Sequence, residues 1–262
     1  MKFYSSFDIT TENCLNNRAI SYGDGVFETM LLNNYSIKLW KLHWQRLSTS
    51  LKMLNIQEPD EDMIHKKVMQ LVNDKGQYIA KLVIFRNDKK RGYASDSTSH
   101  QFYITLNPYI APDPIRTLTR SSVALSKQKN LAGIKHLNRL EQVLAAQELN
   151  QTNYKDAIMC NESGRVIETI SQNIILFKHN KIFSPKLNKS GVYGVALRWL
   201  QLKGHKINWK KIEFNQLAQY HGMMVCNSIQ GFSFINNINN TIHFDKKLKI
   251  IQLIQKQWSE NL

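Results

Sequence analysis

Short runs of β-forming residues, closely spaced in the second half of the chain, constrain the fold most. Turn residues such as Gly164 and Asn180 separate them, and short runs bounded in this way predict strands. The predicted strands are residues 157–160, 166–169, 173–177, 181–184 and 223–227. Helical patterns interrupt them at 138–149 and 195–202. We therefore expect this half to form a sheet or partial barrel.

The first half mixes one amphipathic helix with longer strands. Leucines at mixed three-, four- and five-residue steps predict a helix over 42–55, and residues 78–85 and 101–106 read as strands. The segment 107–120 contains three of the five prolines and predicts an interdomain connection. The sequence thus predicts an α+β protein with a smaller N-terminal α/β domain (1–110), a connection (111–120) and a larger domain (121–262).

Charge and composition narrow the class of protein. The formal net charge is +15, but the lysines and arginines are scattered, which favours a solvated basic surface over a nucleic-acid site. The excess could also attract a polyanionic small molecule. The three cysteines form no CxxC pair, so we expect no metal site. No signal-like or membrane-spanning run appears, so we expect a cytoplasmic protein with no membrane partner.

Lys135 is the most informative single residue. It follows Gly133 and Ile134, and lies just before a predicted helix whose start, Asn138 with Glu141 three residues later, resembles a capping box. Partial desolvation lowers the pKa of a lysine and makes it a Schiff-base nucleophile. Taken alone, the pattern favours a surface lysine, since lysine is rarely buried.

The string GIKHLNRLEQVL at 133–144 resembles the lysine segment of class IV aminotransferase-type (fold type IV) enzymes, which use pyridoxal 5′-phosphate. The likeness is strongest to the aminodeoxychorismate lyases of this class and extends over nearly the whole chain. It implies a two-domain D-amino-acid-aminotransferase-like fold with a larger C-terminal pseudo-barrel domain. It also implies that Lys135 is catalytic and holds the cofactor, and that the protein is a homodimer.

The resemblance implies further cofactor contacts, each with a physical reason. Arg46, in HWQRL, is expected at the cofactor phosphate, because a guanidinium suits bidentate phosphate binding. Glu168 is expected to keep the pyridine nitrogen protonated. The backbone N–H groups of Val195 and Ala196 begin a helix after two glycines and are expected at the phosphate. Ser228 is expected to donate a hydroxyl to it.

The segment YGDGVFET at 22–29 also resembles the family pattern and implies a catalytic hydroxyl at Thr29. Arg91 and Tyr93 lie in a polar loop and resemble an RGY found in lyase-like members. Together with Arg139 they are expected to bind the carboxylates of an anionic small-molecule substrate.

Three functions remain open at this point. The first is a lyase that converts 4-amino-4-deoxychorismate to pyruvate and 4-aminobenzoate, which is a precursor of folate. The second is a class IV transaminase acting on branched-chain or D-amino acids, which needs the same Lys135, Arg46 and Glu168. His136, where transaminases of the class more often carry Thr or Ser, favours the lyase. The third is a non-enzymatic basic binding protein, supported only by the net charge.

Overall fold

The computed structural model describes residues 1–260 and divides into two compact units. Unit 1 comprises Met1–Ile110 together with Ile134–Asn138, and unit 2 comprises Ala111–Gly133 and the chain from Arg139 onward. The segment that carries Lys135 therefore belongs to unit 1, although it follows the proline-rich stretch. Residues 111–120 belong to unit 2, and the last four of them form a strand.

Unit 1 is built on a five-stranded antiparallel sheet in the order β1-β5-β4-β2-β3. Its strands are β1 (Lys2–Ser5), β2 (Gly25–Asn33), β3 (Ser36–Ile37), β4 (Gln77–Arg86) and β5 (His100–Pro108). Its helices are α1 (Thr11–Leu15), α2 (Arg18–Tyr22), α3 (Trp40–Met53) and α4 (Glu61–Gln70). The predicted helix and both predicted strands of this half are confirmed, whereas β1 and α4 were not predicted.

The alternation of side chains along β2 gives the sheet of unit 1 two different faces. Val26 and Met30 are buried in a core with Leu47 and Leu51 of α3, whereas Phe27 remains partly exposed on the opposite face. Burial of a leucine or valine side chain contributes about 1.5–3 kcal/mol each relative to exposure. Packing of the apolar stripe of α3 therefore covers one face of β2 and leaves the face that carries Phe27 partly exposed.

Unit 2 contains two five-stranded sheets, in the orders β11-β10-β9-β12-β13 and β15-β14-β6-β7-β8. The first is formed by β9 (Asn173–Lys178), β10 (Lys181–Pro185), β11 (Ile207–Lys210), β12 (Gly222–Asn227) and β13 (Gly231–Phe234). The second is formed by β6 (Thr117–Arg120), β7 (Ala157–Cys160), β8 (Val166–Thr169), β14 (Asn237–Ile238) and β15 (Ile242–His243). The helices are α5 (Leu140–Glu148), α6 (Val195–Leu202) and α7 (Lys249–Ser259), with short 3-10 helices at Leu149–Gln151 and Phe214–Gln219.

The strands at the centre of unit 2 are buried on both faces. Ile174, Ile175 and Leu176 follow one another in β9 and are all fully buried. A strand covered on both sides shows a continuous apolar run rather than alternation, which is why these segments were recognisable from the sequence. The architecture is α+β, as predicted.

The expected capping box at Asn138 and Glu141 is wrong. α5 begins at Leu140 with Arg139 as its N-cap residue. The Asn138 side chain instead donates a hydrogen bond to the carbonyl of Gly23 (3.2 Å), and Glu141 accepts one from the N–H of Ser126 (2.9 Å). Both polar side chains are thus used for tertiary contacts, and the helix starts two residues later than expected.

Candidate active site

Lys135 is held in unit 1 by backbone pairing with β2. The N–H of Phe27 donates to the carbonyl of Lys135 (2.9 Å), the N–H of Leu137 donates to the carbonyl of Gly25 (3.0 Å), and His136 forms a β-bridge with Val26. The segment 134–138 therefore runs beside β2 like a short extra strand. This pairing fixes the backbone from which the Lys135 side chain projects.

The half-buried Lys135 side chain lies against an aromatic ring with a second cation nearby. Its Nζ is 4.4 Å from the centroid of the Phe27 ring, and the Nζ of Lys81 in β4 is 5.1 Å from the same centroid. Lys81 pairs across the sheet with Thr29, which shares the half-exposed face of β2 with Phe27. One face of unit 1 thus places two amines against one aromatic ring and carries the hydroxyl of Thr29 two residues further along β2.

Two glycines of the YGDG segment make this arrangement possible. Gly23 has φ +63°, and a Cβ there would collide with the side chain of Asn138. A Cβ at Gly25 would lie 2.5 Å from the carbonyl oxygen of Ile84 and 2.8 Å from the Cβ of Phe85. The close approach of Asn138 to Gly23, and of β4 to the start of β2 at Gly25, therefore requires residues without side chains.

Arg46 is buried in an ionic cluster on the other face of β2. Its Nε and Nη2 donate to Oε1 (2.7 Å) and Oε2 (2.6 Å) of Glu28, and the Nδ1 of His43 lies 2.6 Å from the same Oε2. All three side chains are almost fully buried. Arg46 pairs side-on with the carboxylate through Nε and Nη2. Its third nitrogen, Nη1, does not donate to Glu28.

The charges in this cluster are set by their neighbours. Burial alone would raise the pKa of Glu28, but the charge and hydrogen bonds of Arg46, with a smaller contribution from His43, hold that pKa at about 2. Burial lowers the pKa of His43 more than Glu28 raises it, and the charges of Arg46 and Lys135 lower it further. His43 is therefore neutral, and its Nε2 is buried with no hydrogen-bond partner within residues 1–260.

Arg91 and Tyr93 lie in a surface loop of unit 1. Arg18 donates to the carbonyls of Gly92 (3.0 Å) and Tyr93 (3.1 Å), and the hydroxyl of Tyr22 accepts from the N–H of Gly92 (2.8 Å). The loop backbone is thus anchored to α2, whereas the Arg91 side chain is exposed and that of Tyr93 is 89% exposed.

In unit 2, Glu168 and a glycine turn are packed together. Glu168 is buried in β8, and its Oε2 accepts a hydrogen bond from the N–H of Val192 (2.9 Å). Gly191 has φ +81°, and a Cβ there would lie 2.7 Å from Ile167 and 3.2 Å from Oε2 of Glu168. The turn can therefore approach the carboxylate only because position 191 is glycine.

The same turn leads into the N-terminus of α6. Gly194 precedes the helix, and a Cβ there would collide with Oδ1 of Asn173, whose Nδ2 donates to the carbonyl of Val192 (2.8 Å). The first N–H groups of a helix have no intrahelical partner, and Gly194 has no side chain to cap them. Val195 and Ala196 thus supply N–H groups suited to an anion.

The remaining predicted residues of unit 2 lie at the ends of elements. Ser228 is buried directly after β12, where the side chain of Asn227 accepts hydrogen bonds from the N–H groups of Ile229 (3.0 Å) and Gln230 (2.7 Å) and shapes the turn. Arg139 is half-buried at the N-cap of α5.

These groups fit the cofactor that the sequence resemblance implies. Unit 1 offers an amine at Lys135 and a guanidinium nitrogen at Arg46. Unit 2 offers a buried carboxylate at Glu168, and helix N–H groups after a glycine whose Cβ position is already filled by Asn173. An amine, a carboxylate and anion-binding donors are the groups that pyridoxal 5′-phosphate requires of a protein.

Sequence reasoning missed three residues of this region: Glu28, His43 and Lys81. The buried face of β2 carries one glutamate between Val26 and Met30, and this break in an apolar face was a usable signal. Lys81 gave no signal, because an exposed lysine in a strand is ordinary.

Two features of the described residues bear on other classes of protein. No helix among residues 1–260 is both long and apolar enough to span a bilayer. Within the same residues, no group of three or more His, Cys, Asp or Glu side chains is arranged to hold a metal ion.

Comparisons with known proteins identify the family to which the chain belongs. The model of the family "Amino-transferase class IV" matches residues 25–238. The aminodeoxychorismate lyase of Vibrio harveyi is 30% identical over 236 residues, which cover 86% of this chain and 87% of that protein. The branched-chain-amino-acid aminotransferase-like protein 2 of Arabidopsis thaliana is 28% identical over 62% of this chain and 31% of that protein.

Among solved structures, the 4-amino-4-deoxychorismate lyase of Pseudomonas aeruginosa matches with a TM-score of 0.87 and 25% identity, over 100% of this chain and 99% of that one. The fold predicted from the resemblance is thus confirmed over the full length of the chain. With a family model that covers residues 25–238, the chain belongs to the class IV aminotransferase family, whose members use pyridoxal 5′-phosphate.

Proposed function

We propose that this protein is a pyridoxal-phosphate-dependent lyase that converts 4-amino-4-deoxychorismate to 4-aminobenzoate and pyruvate. The observation that carries the proposal is the face of unit 1 on which Lys135 and Lys81 lie against the Phe27 ring and which also carries Thr29. A dicarboxylate substrate needs cations beside the reacting amine, and this face offers a second amine. The similarity to aminodeoxychorismate lyases in sequence and in structure supports the same reaction.

We propose that Lys135, Arg46 and Glu168, with the N–H groups of Val195 and Ala196 and the hydroxyl of Ser228, hold the cofactor. When bound, pyridoxal phosphate supplies an electron sink for the pair released at the substrate carbon. Glu168 keeps a proton at the pyridine nitrogen, for which a buried carboxylate is suited.

In this account Lys135 also acts as the base that removes the proton from the carbon bearing the substrate nitrogen. Lys135 or Thr29 returns a proton to the enolpyruvyl group, which leaves as pyruvate. Loss of that group makes the ring aromatic, so the protein has mainly to orient groups and move protons.

We assign the substrate carboxylates to Lys81 together with the earlier candidates Arg91, Tyr93 and Arg139. Lys81→Met removes one cation without touching Lys135, and we expect KM to rise about tenfold with a smaller change in kcat. Lys41→Met is the matched control, since Lys41 is an exposed lysine of the same unit and its loss leaves KM unchanged. A raised KM in both variants would show that only net charge matters.

The direct test is product analysis. The protein loaded with pyridoxal phosphate is incubated with 4-amino-4-deoxychorismate, and pyruvate and 4-aminobenzoate are quantified. We expect both products in equal amounts, and none from Lys135→Ala. Absence of both products from a protein that binds the cofactor would reject the lyase proposal.

A transaminase is the second candidate, because the matched family includes the Arabidopsis aminotransferase-like protein. It would use the same Lys135, Arg46 and Glu168. Turnover of a branched-chain or D-amino acid with 2-oxoglutarate, together with no release of 4-aminobenzoate, would select this function instead.

We also propose that the protein is a cytoplasmic homodimer. Leu140, Val143 and Leu144 on α5 are 69%, 48% and 45% exposed, and a cluster of exposed apolar side chains marks an interaction surface. Light scattering should give twice the mass of one chain. A single-chain mass at micromolar concentration would reject the dimer.

A further inference from the structure

We propose that Glu28 and His43 are positioning residues, which set the guanidinium of Arg46 and so determine how well the protein recognises the phosphate of its cofactor. Neither residue is expected to touch the cofactor through its carboxylate or Nδ1, because the Glu28 carboxylate is bonded to Arg46 and His43, and Nδ1 of His43 is directed at that carboxylate. The inference rests on the proposed contact between Arg46 and the phosphate.

The geometry of the ion pair between Glu28 and Arg46 holds the guanidinium in one position. An arginine side chain has several rotatable bonds, so a lone arginine would sample many positions before it met an anion. Glu28 takes both Nε and Nη2 in a bidentate pair at 2.7 and 2.6 Å, which fixes the plane of the guanidinium. Nη1 then has one defined direction, and its charge is already in place when a phosphate arrives.

The strand that carries Glu28, β2, also holds the backbone of Lys135. Phe27, the preceding residue on β2, is bonded through its N–H to the carbonyl of Lys135 (2.9 Å). Glu28, the next residue along, holds Arg46. Adjacent residues of one strand therefore fix the amine and the guanidinium relative to each other, and these two groups serve opposite ends of one small cofactor. β2 thus acts as a rigid spacer within unit 1.

His43 restrains the carboxylate of Glu28. Its Nδ1 lies 2.6 Å from Oε2 of Glu28, the oxygen that also accepts from Nη2 of Arg46. A neutral imidazole whose Nδ1–H donates to a carboxylate presents a bare Nε2 as an acceptor. His43 thereby restrains the Glu28 carboxylate without adding a positive charge, and a protonated histidine there would compete with Arg46.

Stability alone is a weak reason for such a cluster. Buried ion pairs can often be replaced by apolar residues of similar size without loss of stability, because desolvation offsets the attraction between the charges. Three ionisable side chains in a mostly apolar layer between α3 and β2 are better explained by a requirement for an oriented cation.

The test compares two ligands that differ only in the phosphate. The cofactor-free full chain is titrated with pyridoxal 5′-phosphate and with pyridoxal, and the dissociation constants are measured by absorbance. We expect Glu28→Gln to weaken binding of pyridoxal 5′-phosphate about tenfold more than binding of pyridoxal. His43→Phe should show the same selectivity to a smaller extent, and Glu28→Asp should retain part of the phosphate preference.

Two further variants separate the possible failures. Ser50→Ala lies on the same buried face of α3, where Ser50 donates to the carbonyl of Arg46 (2.7 Å), and should leave the ratio of the two dissociation constants unchanged. Arg46→Lys should lose phosphate preference. If it does not, the proposed role of Arg46 fails, and this inference with it. If Arg46→Lys is selective but Glu28→Gln and His43→Phe weaken both ligands equally, only the positioning role is overturned.

Should Glu28→Gln fail to fold, Glu28→Asp and His43→Phe decide the question by the same ratio. Equal weakening of the two ligands in both variants would mean that the cluster merely stabilises unit 1.

Discussion

Two carboxylates, one in each unit, are equally buried and behave in opposite ways. Glu28 in unit 1 and Asp156 in unit 2 are each 1% exposed. Burial is the largest influence on both and raises the pKa, but Arg46 and His43 reverse it at Glu28 and hold its pKa at about 2. Asp156 accepts from neutral donors, which include Thr169 Oγ1 (2.7 Å) and two backbone N–H groups, and its pKa stays raised.

The difference shows how each unit arranges its own buried polar groups. Unit 1 buries a charge in order to orient another charge, so its arrangement depends on long side chains. Unit 2 uses Asp156 to fold the turn at Thr169 and Ile170, directly after Glu168, and offers backbone N–H groups at glycine turns. Side-chain changes should therefore damage unit 1 most, and backbone crowding should damage unit 2.

The largest effect is expected from Arg46→Met, which leaves the carboxylate of Glu28 buried without its cation. Breaking a buried ion pair from one side costs about 3–5 kcal/mol, measured here as the free energy of unfolding in urea without cofactor. The double variant Glu28→Leu with Arg46→Met should recover most of this loss. A single variant as stable as the wild type would mean that water reaches the pair.

The next largest effect is expected in how the free energy of unfolding depends on pH, because Glu28 is buried and ionised. The pKa of Glu28 in the folded chain is lowered to about 2 from 4.5, so its contribution is fully present above pH 4.5 and is lost as the pH falls toward 2. A shift of this size corresponds to about 3 kcal/mol. Urea unfolding between pH 6 and pH 3 should therefore show a steeper loss for the wild type than for Glu28→Gln. Parallel curves would contradict the assigned pairing.

Gly194→Ala tests the backbone-based half of the comparison. The new Cβ would meet Oδ1 of Asn173, and overpacking of this kind costs about 1–3 kcal/mol. The matched control is Gly76→Ala, where the nearest atom to a new Cβ would be 3.4 Å away on the Tyr78 ring. A melting temperature that falls equally in both variants would show that crowding against Asn173 is not responsible.

Asp156→Asn should have the smallest effect and the opposite pH trend. The pKa of Asp156 is raised in the folded chain, so the wild type loses stability as the pH rises above 3.8 through the folded pKa. The amide in the Asp156→Asn variant does not ionise, so the variant should gain stability relative to the wild type over that window. If the free energy of unfolding of the variant fell relative to that of the wild type as the pH rises, Asp156 would have an unrecognised cation partner.

Much of the fold could be read from the sequence, because local pattern and final burial agree. Residues 195–202 were predicted as a helix and form α6, and the buried strands of unit 2 appear as apolar runs. α4 and α7 were missed, since their apolar residues are diluted by lysines and glutamines on the exposed side. The capping-box prediction failed because Asn138 and Glu141 have tertiary partners that no local pattern specifies.

The site was accessible from the sequence only in part, for a physical reason. Lys135, Glu168 and the glycine turn lie in short motifs that resemble known family segments. The pairing of Arg46 with Glu28 could not be foreseen, because it depends on how α3 packs on β2, eighteen residues away in sequence. Likewise, the position of Lys81 beside Phe27 follows from strand register, which sequence alone does not fix.

The central claim is that the amine of Lys135 is the group that carries the cofactor. Incubation of the protein with pyridoxal 5′-phosphate, reduction with borohydride and peptide mass spectrometry test it directly. The account predicts one phosphopyridoxyl group per chain, on the peptide that contains Lys135, and none on that containing Lys81. Label on other lysines with Lys135 unmodified, or no stable label at all, would contradict it.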